Sequence, residues 1–223
     1  MSVDPIVSDT SAVCLVGGAQ IAETALRAVS GLTDSFVAVD SGADFLAARG
    51  VTPKAVIGDL DSISDDTRKR FASLICHVAE QETVDFEKAL LRVSAPLVLA
   101  IGFTGGRLDH TLAVLHVALR HIGRAVVLVD ADDASFLAPQ GRIALPLDAG
   151  TRISVMPIAP VAAISLSGVQ WPFTDRAMTA GGFTSPSNRA SGGEVVLQTS
   201  DPVLVTLPLA QLAHAATAAV RAR

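Results

Sequence analysis

The chain has 223 residues and half of them are apolar, so it can form one large domain or two small ones with a buried core. The formal charge is −5 and no basic stripe is present, which excludes a typical nucleic-acid-binding protein. No apolar stretch approaches the ~20 residues of a membrane span. The first residues lack the regions of a signal peptide, and Cys14 and Cys76 lie in apolar stretches typical of free thiols. We therefore expect a cytoplasmic protein.

The first 130 residues alternate between patterns typical of strands and patterns typical of helices. Apolar runs predict strands at 13–18, 36–40, 55–58, 75–78, 96–102 and 125–130. Helices are predicted between them at 21–29, 43–49, 65–74, 83–93 and 108–122. Strands that are apolar on both faces and alternate with helices indicate a mostly parallel sheet covered on both sides. We expect an α/β domain of the Rossmann-like kind over residues 1–135.

The pattern changes after residue 134, where short strand-like segments follow one another with Gly, Pro, Asp and Ser between them. The predicted strands are 135–138, 142–145, 151–158, 163–166, 194–199 and 203–207. The last stretch, from 209 to the end, is rich in alanine and predicts a terminal helix. We therefore expect an all-β sandwich with a C-terminal helix over residues 136–223.

Polar residues follow four of the strands predicted in the first half. In an open parallel sheet, ligands bind beyond the carboxyl ends of the strands. The four groups are Asp40-Ser41-Gly42, Asp59-Leu60-Asp61, the segment from Glu80 to Asp85, and the segment from Thr104 to His110. Carboxylates held close together repel each other unless a cation neutralises them. The sequence therefore predicts a divalent cation at this edge.

Asp59 and Asp61 are the best candidates for that cation, because they follow a buried strand one residue apart. Mg²⁺ is the usual cation when the substrate is a phosphate. An aspartate between a strand and a helix can instead be a helix N-cap. That alternative stays open for Asp85 and is least favoured for the Asp59 and Asp61 pair, because a cap needs one carboxylate only.

The segment after the fifth strand carries candidate phosphate ligands. Two glycines, Gly105 and Gly106, allow close approach of a phosphate to backbone N–H groups at a helix start, or form only a tight turn. Arg107 can grip phosphate oxygens with two bonds. Asp109 can bind metal or accept a proton, and a chemical role for His110 is open against a structural one.

Lys88 follows Asp85 by one helical turn. It could reach a nucleotide phosphate or remain solvated.

Taken together, these motifs resemble the thiamine pyrophosphokinase (thiamine diphosphokinase) family. The resemblance rests on residues 40–43, 58–62, 81–90 and 105–112, which occur in the family's order and spacing. In the second half, Ser187-Asn188 is similar to the family's Ser-Asn pair near thiamine. The similarity extends over nearly the whole chain.

The resemblance implies an N-terminal α/β nucleotide-binding domain, a C-terminal β-sandwich, and a homodimer with thiamine bound between subunits. The implied reaction transfers the pyrophosphoryl group of ATP to thiamine and releases AMP, with Mg²⁺ as cofactor. The implied metal ligands are Asp59, Asp61 and Asp85, and the implied catalytic residues are Asp61, Arg107 and Asp109. The implied binding residues are Asp40, Ser41, Gly42, Gln81, Asp85, Lys88, Thr104, Gly105, Gly106, His110, Ser187 and Asn188.

The chain departs from the family pattern at two positions. The family commonly has a hydroxyl residue where this chain has Val84, and often Glu where this chain has Arg189. The lone tryptophan, Trp171, could stack on the pyrimidine or belong to the core. Two other functions use the same residues: a metal-dependent phosphatase, and a nucleotide-binding regulatory module without catalysis.

Overall fold

A computed structural model describes residues 4–80 and 82–221. The chain forms two compact units. Unit 1 runs to Val117 and includes Leu128–Ala131, and unit 2 comprises Ala118–Val127 and the chain from Asp132 onward. The domain boundary expected at 135/136 stays a prediction. No helix in the part of the chain that the structure describes is long and apolar enough to cross a membrane.

Unit 1 alternates strands with helices, as the apolar runs predict. Its strands are β1 (Val7–Ser8), β2 (Ala12–Val16), β3 (Phe36–Val39), β4 (Ala55–Gly58), β5 (Ile75–His77), β6 (Val93–Ser94) and β7 (Leu97–Ile101). Its helices are α1 (Glu23–Ser30), α2 (Gly42–Ala48), α3 (Asp65–Arg70) and α4 (Asp85–Leu91), with a 3-10 turn at Ala72–Leu74. Helix α5 (Leu108–Arg120) and strand β8 (Val126–Val129) each extend across the division between the units.

Five strands of unit 1 pair in parallel, in the order β7, β2, β3, β4, β5. Every residue of β2, β3, β4 and β7 is buried, which explains why these strands are apolar throughout rather than alternating. The short strands β1 and β6 form a separate parallel pair.

The strand order of unit 1 reverses at β2. The chain moves outward through β3, β4 and β5 and then returns to add β7 on the other side of β2. At such a reversal the connections leave the sheet in opposite directions, and a crevice opens beyond the carboxyl ends of the two strands. This position in unit 1 lies between the ends of β2 and β7.

Unit 2 is rich in antiparallel strands. They are β9 (Asp133–Ala138), β10 (Gly141–Leu147), β11 (Arg152–Met156), β12 (Val161–Ser167), β13 (Phe173–Met178), β14 (Ser185–Arg189), β15 (Gly193–Thr199) and β16 (Val203–Pro208). One group pairs in the order β10, β15, β12, β13, and the other in the order β14, β11, β16, β9. Buried residues alternate with mostly exposed residues along β10 and with half-buried residues along β11 and β16, so each strand buries one face.

A C-terminal helix completes unit 2, as the alanine-rich sequence predicts. A 3-10 turn at Leu209–Gln211 leads into α6 (Leu212–Arg221), which packs on β9, β10 and β16. Its buried residues are Leu212, Ala215, Ala216, Ala218 and Ala219.

The α/β unit and the separate β-rich unit are confirmed, whereas the Rossmann-like and sandwich descriptions stay predictions. The sequence patterns missed β13 and β14, which each pair with one neighbour only. Half of the residues of β13 and four of the five residues of β14 are polar, because an outer strand exposes much of its surface and needs little apolar burial. Strand β14 carries Ser187 and Asn188, the two residues of unit 2 that are predicted to bind a ligand.

Candidate active site

The Asp59-Leu60-Asp61 segment is held in place by the carboxylate of Asp40. Leu60 has a left-handed backbone (φ +67°), and its N–H donates to Asp40 Oδ1 at 2.9 Å. The Asp61 N–H donates to Asp59 Oδ1 at 3.3 Å. Gly58 has φ +154°, and a Cβ at this position would lie 2.0 Å from Asp40 Oδ1. Glycine is required here because the end of β4 and Asp40 are in direct contact.

Asp40 is a buried carboxylate with an unusual backbone. It follows β3, only 7% of it is exposed, and its φ is +46°, which is uncommon outside glycine. Burial raises the pKa of Asp40 to about 6, the hydrogen bond from Leu60 opposes this rise, and the negative charges of Asp85 and Asp59 add to it. Asp40, Asp59 and Asp85 therefore converge on one region of unit 1.

The ammonium of Lys88 lies among these carboxylates. The Lys88 side chain is 2% exposed, and Nζ lies 2.9 Å from Asp85 Oδ1 and 3.8 Å from Asp59 Oδ2. Burial by itself lowers the pKa of Lys88, but the hydrogen bond to Asp85 and the charges of Asp85, Asp59 and Glu80 outweigh it and raise the pKa above its ordinary value. Lys88 is therefore a cation at neutral pH, and it is not the solvated lysine that the sequence left open.

The segment before α4 is organised by Glu80. Its carboxylate accepts hydrogen bonds from the Thr83 hydroxyl, from the Thr83 N–H at 3.0 Å and from the Glu82 N–H at 2.8 Å. These bonds, the one from the Thr83 hydroxyl first, lower the pKa of Glu80. Val84 stands at the N-cap of α4 without a side-chain cap and is 42% exposed. The predicted binding residue Gln81 lies outside the described residues.

Arg107 and Asp109 form a bidentate ion pair at the start of α5. Arg107 Nε and Nη2 donate to the two oxygens of Asp109 at 3.1 and 2.6 Å, and the two side chains are 71% and 64% exposed. The hydrogen bonds from Arg107 lower the pKa of Asp109, and the pKa of Arg107 is raised by the same contact. Asp109 is therefore ionised, and its oxygens already accept bonds from the guanidinium.

The glycine segment before α5 is anchored by Asp130, which sequence reasoning missed as a site residue. The Thr104 hydroxyl donates to Asp130 Oδ2 at 2.8 Å, and the Ala131 N–H donates to Asp130 Oδ1 at 2.7 Å. Gly105 has φ +77°, a left-handed conformation that glycine adopts without strain. Asp130 follows β8 directly, and an acidic residue at a strand end is the signal that could have identified it.

A cavity of about 690 Å³ in unit 1 brings most of the predicted residues together. The predicted residues on its wall are Asp40, Ser41, Asp59, Asp61, Asp85, Lys88, Gly106, Arg107 and His110. Among the described residues of unit 1, four predicted residues do not line it: Gly42, Thr104, Gly105 and Asp109. Gly42 instead packs against the backbone, because a Cβ there would lie 1.9 Å from the Val16 carbonyl oxygen.

The cavity also has a wall that the sequence patterns did not identify. Gly17 and Gly18 follow β2, Gly102 and Phe103 follow β7, and all four line the cavity at the reversal of strand order. Close backbone packing requires small residues here, because a Cβ on Gly17 would lie 2.5 Å from the Gly102 carbonyl oxygen. Gly17-Gly18 lack the full G-x-G-x-x-G spacing of a dinucleotide-binding turn, and the strand order reveals their place at the cavity.

The carboxylates on this wall fit a divalent cation by their chemistry. Their oxygens are the ligand type that Mg²⁺ prefers. Among the described residues, no three His, Cys, Asp or Glu side chains already form a group around one point. Burial and, to a lesser degree, the charges of Asp85 and Asp59 raise the pKa of Asp40, so added positive charge would be favourable here. The ligand set of Asp59, Asp61 and Asp85 stays a prediction.

In unit 2, the predicted pair Ser187-Asn188 divides into one exposed and one buried residue. Ser187 is exposed, with φ +56°, and its N–H donates to Ser154 Oγ at 3.0 Å. Asn188 is only 2% exposed. Trp171 is 56% exposed, so it is not the core residue that the sequence left as an alternative.

The fold and the cavity define an α/β protein with clustered carboxylates, an ammonium and glycine turns at the strand ends, as expected of a phosphate-transferring enzyme. A solved thiamin pyrophosphokinase from Geobacillus thermodenitrificans superimposes with a TM-score of 0.77 and 26% identity, covering 88% of this chain and 96% of that one. A solved thiamin pyrophosphokinase from Candida albicans has the same fold, with a TM-score of 0.78 at 17% identity, covering 91% of this chain and 92% of that one.

Sequence comparisons identify the family. The model described as "Thiamin pyrophosphokinase, catalytic domain" matches residues 29–128, and that described as "Thiamin pyrophosphokinase, vitamin B1 binding domain" matches residues 141–204. A thiamine pyrophosphokinase of Arabidopsis thaliana is 29% identical over 74% of this chain and 69% of its own length. One of Bacillus subtilis (strain 168) is 28% identical over 72% of this chain and 81% of its own length. The chain belongs to the thiamine pyrophosphokinase family.

Proposed function

We propose that this enzyme, a thiamine pyrophosphokinase, holds ATP in the cavity of unit 1 and transfers its pyrophosphoryl group to thiamine, giving thiamine diphosphate and AMP. Membership of the family supports the reaction, and it does not favour the metal-dependent phosphatase or the regulatory module. The same comparisons support its class as a pyrophosphoryl-transferring enzyme.

One observation supports the placing of ATP in this cavity above all others. The carboxylates of Asp59 and Asp85 lie beside the buried ammonium of Lys88, and their charges also act on Asp40. The same wall carries Arg107. Such a cluster binds cations strongly and can hold a polyphosphate only if a further cation accompanies it. A nucleotide triphosphate with a divalent metal matches this requirement.

Asp59, Asp61 and Asp85 would hold Mg²⁺, whose charge would neutralise the phosphate oxygens. Lys88 and Arg107 bind phosphate oxygens through their N–H groups, and Gly106 lets the backbone approach them closely. Ser41 and His110 line the same cavity and contact the nucleotide. The resemblance to the family assigns a nucleotide contact to Gln81 as well. Thr104 and Gly105 act indirectly, because the Asp130 anchor holds the turn in which they lie.

The transfer forms a bond between the thiamine hydroxyl oxygen and the β-phosphorus of ATP and breaks the bond from that phosphorus to the oxygen that leaves with AMP. Such transfers depend mainly on positioning and charge neutralisation. Arg107 offsets negative charge on the transferred group, and Asp61 and Asp109 complete the catalytic set. The hydrogen bonds from Arg107 lower the pKa of Asp109, so Asp109 is a stronger base for the hydroxyl proton once Arg107 is released.

We further propose that unit 1 is Rossmann-like, that unit 2 is a sandwich that binds thiamine, and that two chains form a homodimer with thiamine between them. Ser187 is exposed and can contact thiamine directly. The two cysteines are free thiols, which supports a cytoplasmic protein.

A mixture of protein, ATP, Mg²⁺ and thiamine tests the function. We expect AMP and thiamine diphosphate in equal amounts, and AMP only when thiamine is present. ADP or phosphate made without thiamine would show a phosphatase, and binding of ATP without any product would show a regulatory module.

A further inference from the structure

The backbone of Leu60 is unusual for an apolar residue. Four described residues other than glycine have a positive φ, and Leu60 is the one among them without a polar side chain. A left-handed backbone costs free energy in a residue with a bulky side chain, and it persists only where surrounding contacts hold it. Leu60 is 3% exposed and stands between Asp59 and Asp61. Its conformation therefore sets the directions of these two carboxylates relative to each other.

Two side chains hold the two peptide groups that flank Leu60. The Leu60 N–H, in the peptide group shared with Asp59, donates to Asp40 Oδ1 at 2.9 Å. The Leu60 carbonyl oxygen, in the peptide group shared with Asp61, accepts a hydrogen bond from Nη2 of Arg68. Because φ and ψ of a residue relate the peptide planes on its two sides, fixing both planes fixes its backbone. Asp40 by itself holds one of these planes, and Arg68 holds the other.

The helix that carries Arg68 begins at a fixed point. The Ser64 N–H donates to Asp44 Oδ2 at 3.1 Å, and the Ser64 hydroxyl donates to Asp44 Oδ1. Ser64 Oγ also accepts from the Thr67 N–H at 3.3 Å and so caps the N-terminus of α3. Arg68 is the fourth residue of this helix, so its side chain reaches back to the Leu60 carbonyl oxygen from a restrained backbone.

Arg68 acts from outside the cavity. Asp59 and Asp61 line the cavity, whereas Arg68 is a described residue that does not. Arg68 is also exposed, so replacing it leaves no void in the core. A hydrogen bond from a guanidinium is charge-assisted and stronger than a bond between neutral groups. Arg68 is therefore able to orient the Asp59-Leu60-Asp61 segment without touching a ligand in the cavity.

We propose that Arg68 is a positioning residue, whose bond to the Leu60 carbonyl oxygen holds Asp59 and Asp61 in the geometry for a divalent cation before the cation binds. The Asp40 bond to the Leu60 N–H is the other half of this restraint. Groups that orient metal ligands are required for tight metal binding although they do not touch the metal. The identity of the cation rests on the proposed function, whereas the holding of the segment by Arg68 does not.

Hydrogen exchange of the metal-free protein tests whether Arg68 holds the segment. With chelator present, Arg68→Ala should speed exchange of the Leu60 and Asp61 amides about tenfold, as expected for loss of one bond from a charged group. Arg70→Ala is the matched control, because Arg70 lies in the same helix and donates to the Ala47 carbonyl oxygen at 2.9 Å. It should leave both amides unchanged. Unchanged exchange in Arg68→Ala, or an equal increase in both variants, would overturn the proposal.

Binding of Mn²⁺ without nucleotide tests the consequence for the two carboxylates. Mn²⁺ prefers the same oxygen ligands as Mg²⁺, and the electron paramagnetic resonance signal of the free ion measures how much is bound. Arg68→Ala should weaken Mn²⁺ binding about tenfold, and Arg70→Ala should leave it unchanged. Wild-type affinity in Arg68→Ala would overturn the proposal. A wild type that binds no Mn²⁺ would reject the metal site of the proposed function, and the exchange rates would still decide whether Arg68 holds the segment.

Steady-state kinetics separate positioning from a general loss of structure. Arg68→Ala should raise the Mg²⁺ concentration for half-maximal AMP formation about tenfold. At saturating Mg²⁺ the KM for thiamine should stay within about twofold, as for independent sites. A KM for thiamine that rises as much as the Mg²⁺ requirement would overturn the proposal. If Arg68→Ala does not fold, Arg68→Gln keeps a good helix former whose amide ends two bonds short of Nη2. It should show the same changes, and wild-type behaviour of Arg68→Gln would overturn the proposal.

Discussion

Replacing Asp40 with asparagine isolates the electrostatic cost of the carboxylate cluster. The amide oxygen of Asp40→Asn can still accept the hydrogen bond from the Leu60 N–H, which is 2.9 Å from Oδ1 in the wild type. The substitution removes only the negative charge beside Asp85 and Asp59. A difference between the two proteins therefore reports on that charge rather than on the shape of the Asp59-Leu60-Asp61 segment.

The size and sign of the effect follow from the pKa of Asp40. Burial raises it from 3.8 to about 6, so the folded protein holds a proton on Asp40 where the unfolded chain has lost it. The stabilisation that the folded protein gains by holding this proton is fully present below pH 3.8, the ordinary pKa of the carboxyl. It is lost as pH rises through about 6, the pKa in the folded protein. Integrated between pH 4.5 and 7.5, the loss is about 2 kcal/mol. The wild type should therefore lose this much more unfolding free energy than Asp40→Asn does.

Urea unfolding of both proteins at several pH values, with chelator present, measures this difference. Groups that titrate alike in both proteins cancel in the comparison. Asp148→Asn, at an exposed turn position, is the matched control and should follow the wild type at every pH. Parallel stability curves for the wild type and Asp40→Asn, or a wild type that loses less unfolding free energy than Asp40→Asn as pH rises, would refute the reasoning.

Three further substitutions test the wall of the cavity. Lys88→Met removes the ammonium beside Asp85 and should lower the unfolding free energy by about 1 to 3 kcal/mol. This loss is smaller than for a fully buried ion pair, because the Asp85 side chain is 45% exposed. Urea unfolding curves that match the wild type would contradict this prediction. Gly58→Ala should abolish AMP formation, because its Cβ would lie 2.0 Å from Asp40 Oδ1, whereas Gly123→Ala meets no atom within 4 Å and should stay active. Thr104→Val loses the bond to Asp130, worth about 1 kcal/mol, and should raise the KM for ATP about fivefold while the KM for thiamine stays constant.

The parallel strands of unit 1 could be predicted because both of their faces are buried, which leaves continuous apolar runs in the sequence. Strand β14 could not be predicted from the sequence, because its residues Ser, Pro, Ser, Asn and Arg show no apolar pattern. These residues form a strand through their pairing with β11. Propensity and periodicity are local, whereas this pairing joins residues 30 to 37 positions apart.

The candidate site likewise contains residues that could be predicted from the sequence and residues that could not. Asp59 and Arg107 could be predicted to share an edge, because each lies in the segment that follows a strand. Lys88 lies in the first turns of the helix after β5, which begins at the same edge. The wall formed by Gly17 and Gly102 could not, because it depends on β7 lying beside β2 rather than beside β5. The burial of Asn188 was equally hidden, since its bonds to Trp171 join positions 17 residues apart.

The central claim is that the carboxylate cavity transfers a pyrophosphoryl group from ATP to thiamine. The most direct measurement is AMP and thiamine diphosphate formed by the wild type and by Asp61→Ala, with and without thiamine and with Mg²⁺ present or chelated. We predict equal amounts of both products in the wild type only when thiamine and Mg²⁺ are both present, and almost none in an Asp61→Ala protein that unfolds like the wild type. Full turnover by Asp61→Ala, or AMP formation without thiamine, would contradict the claim.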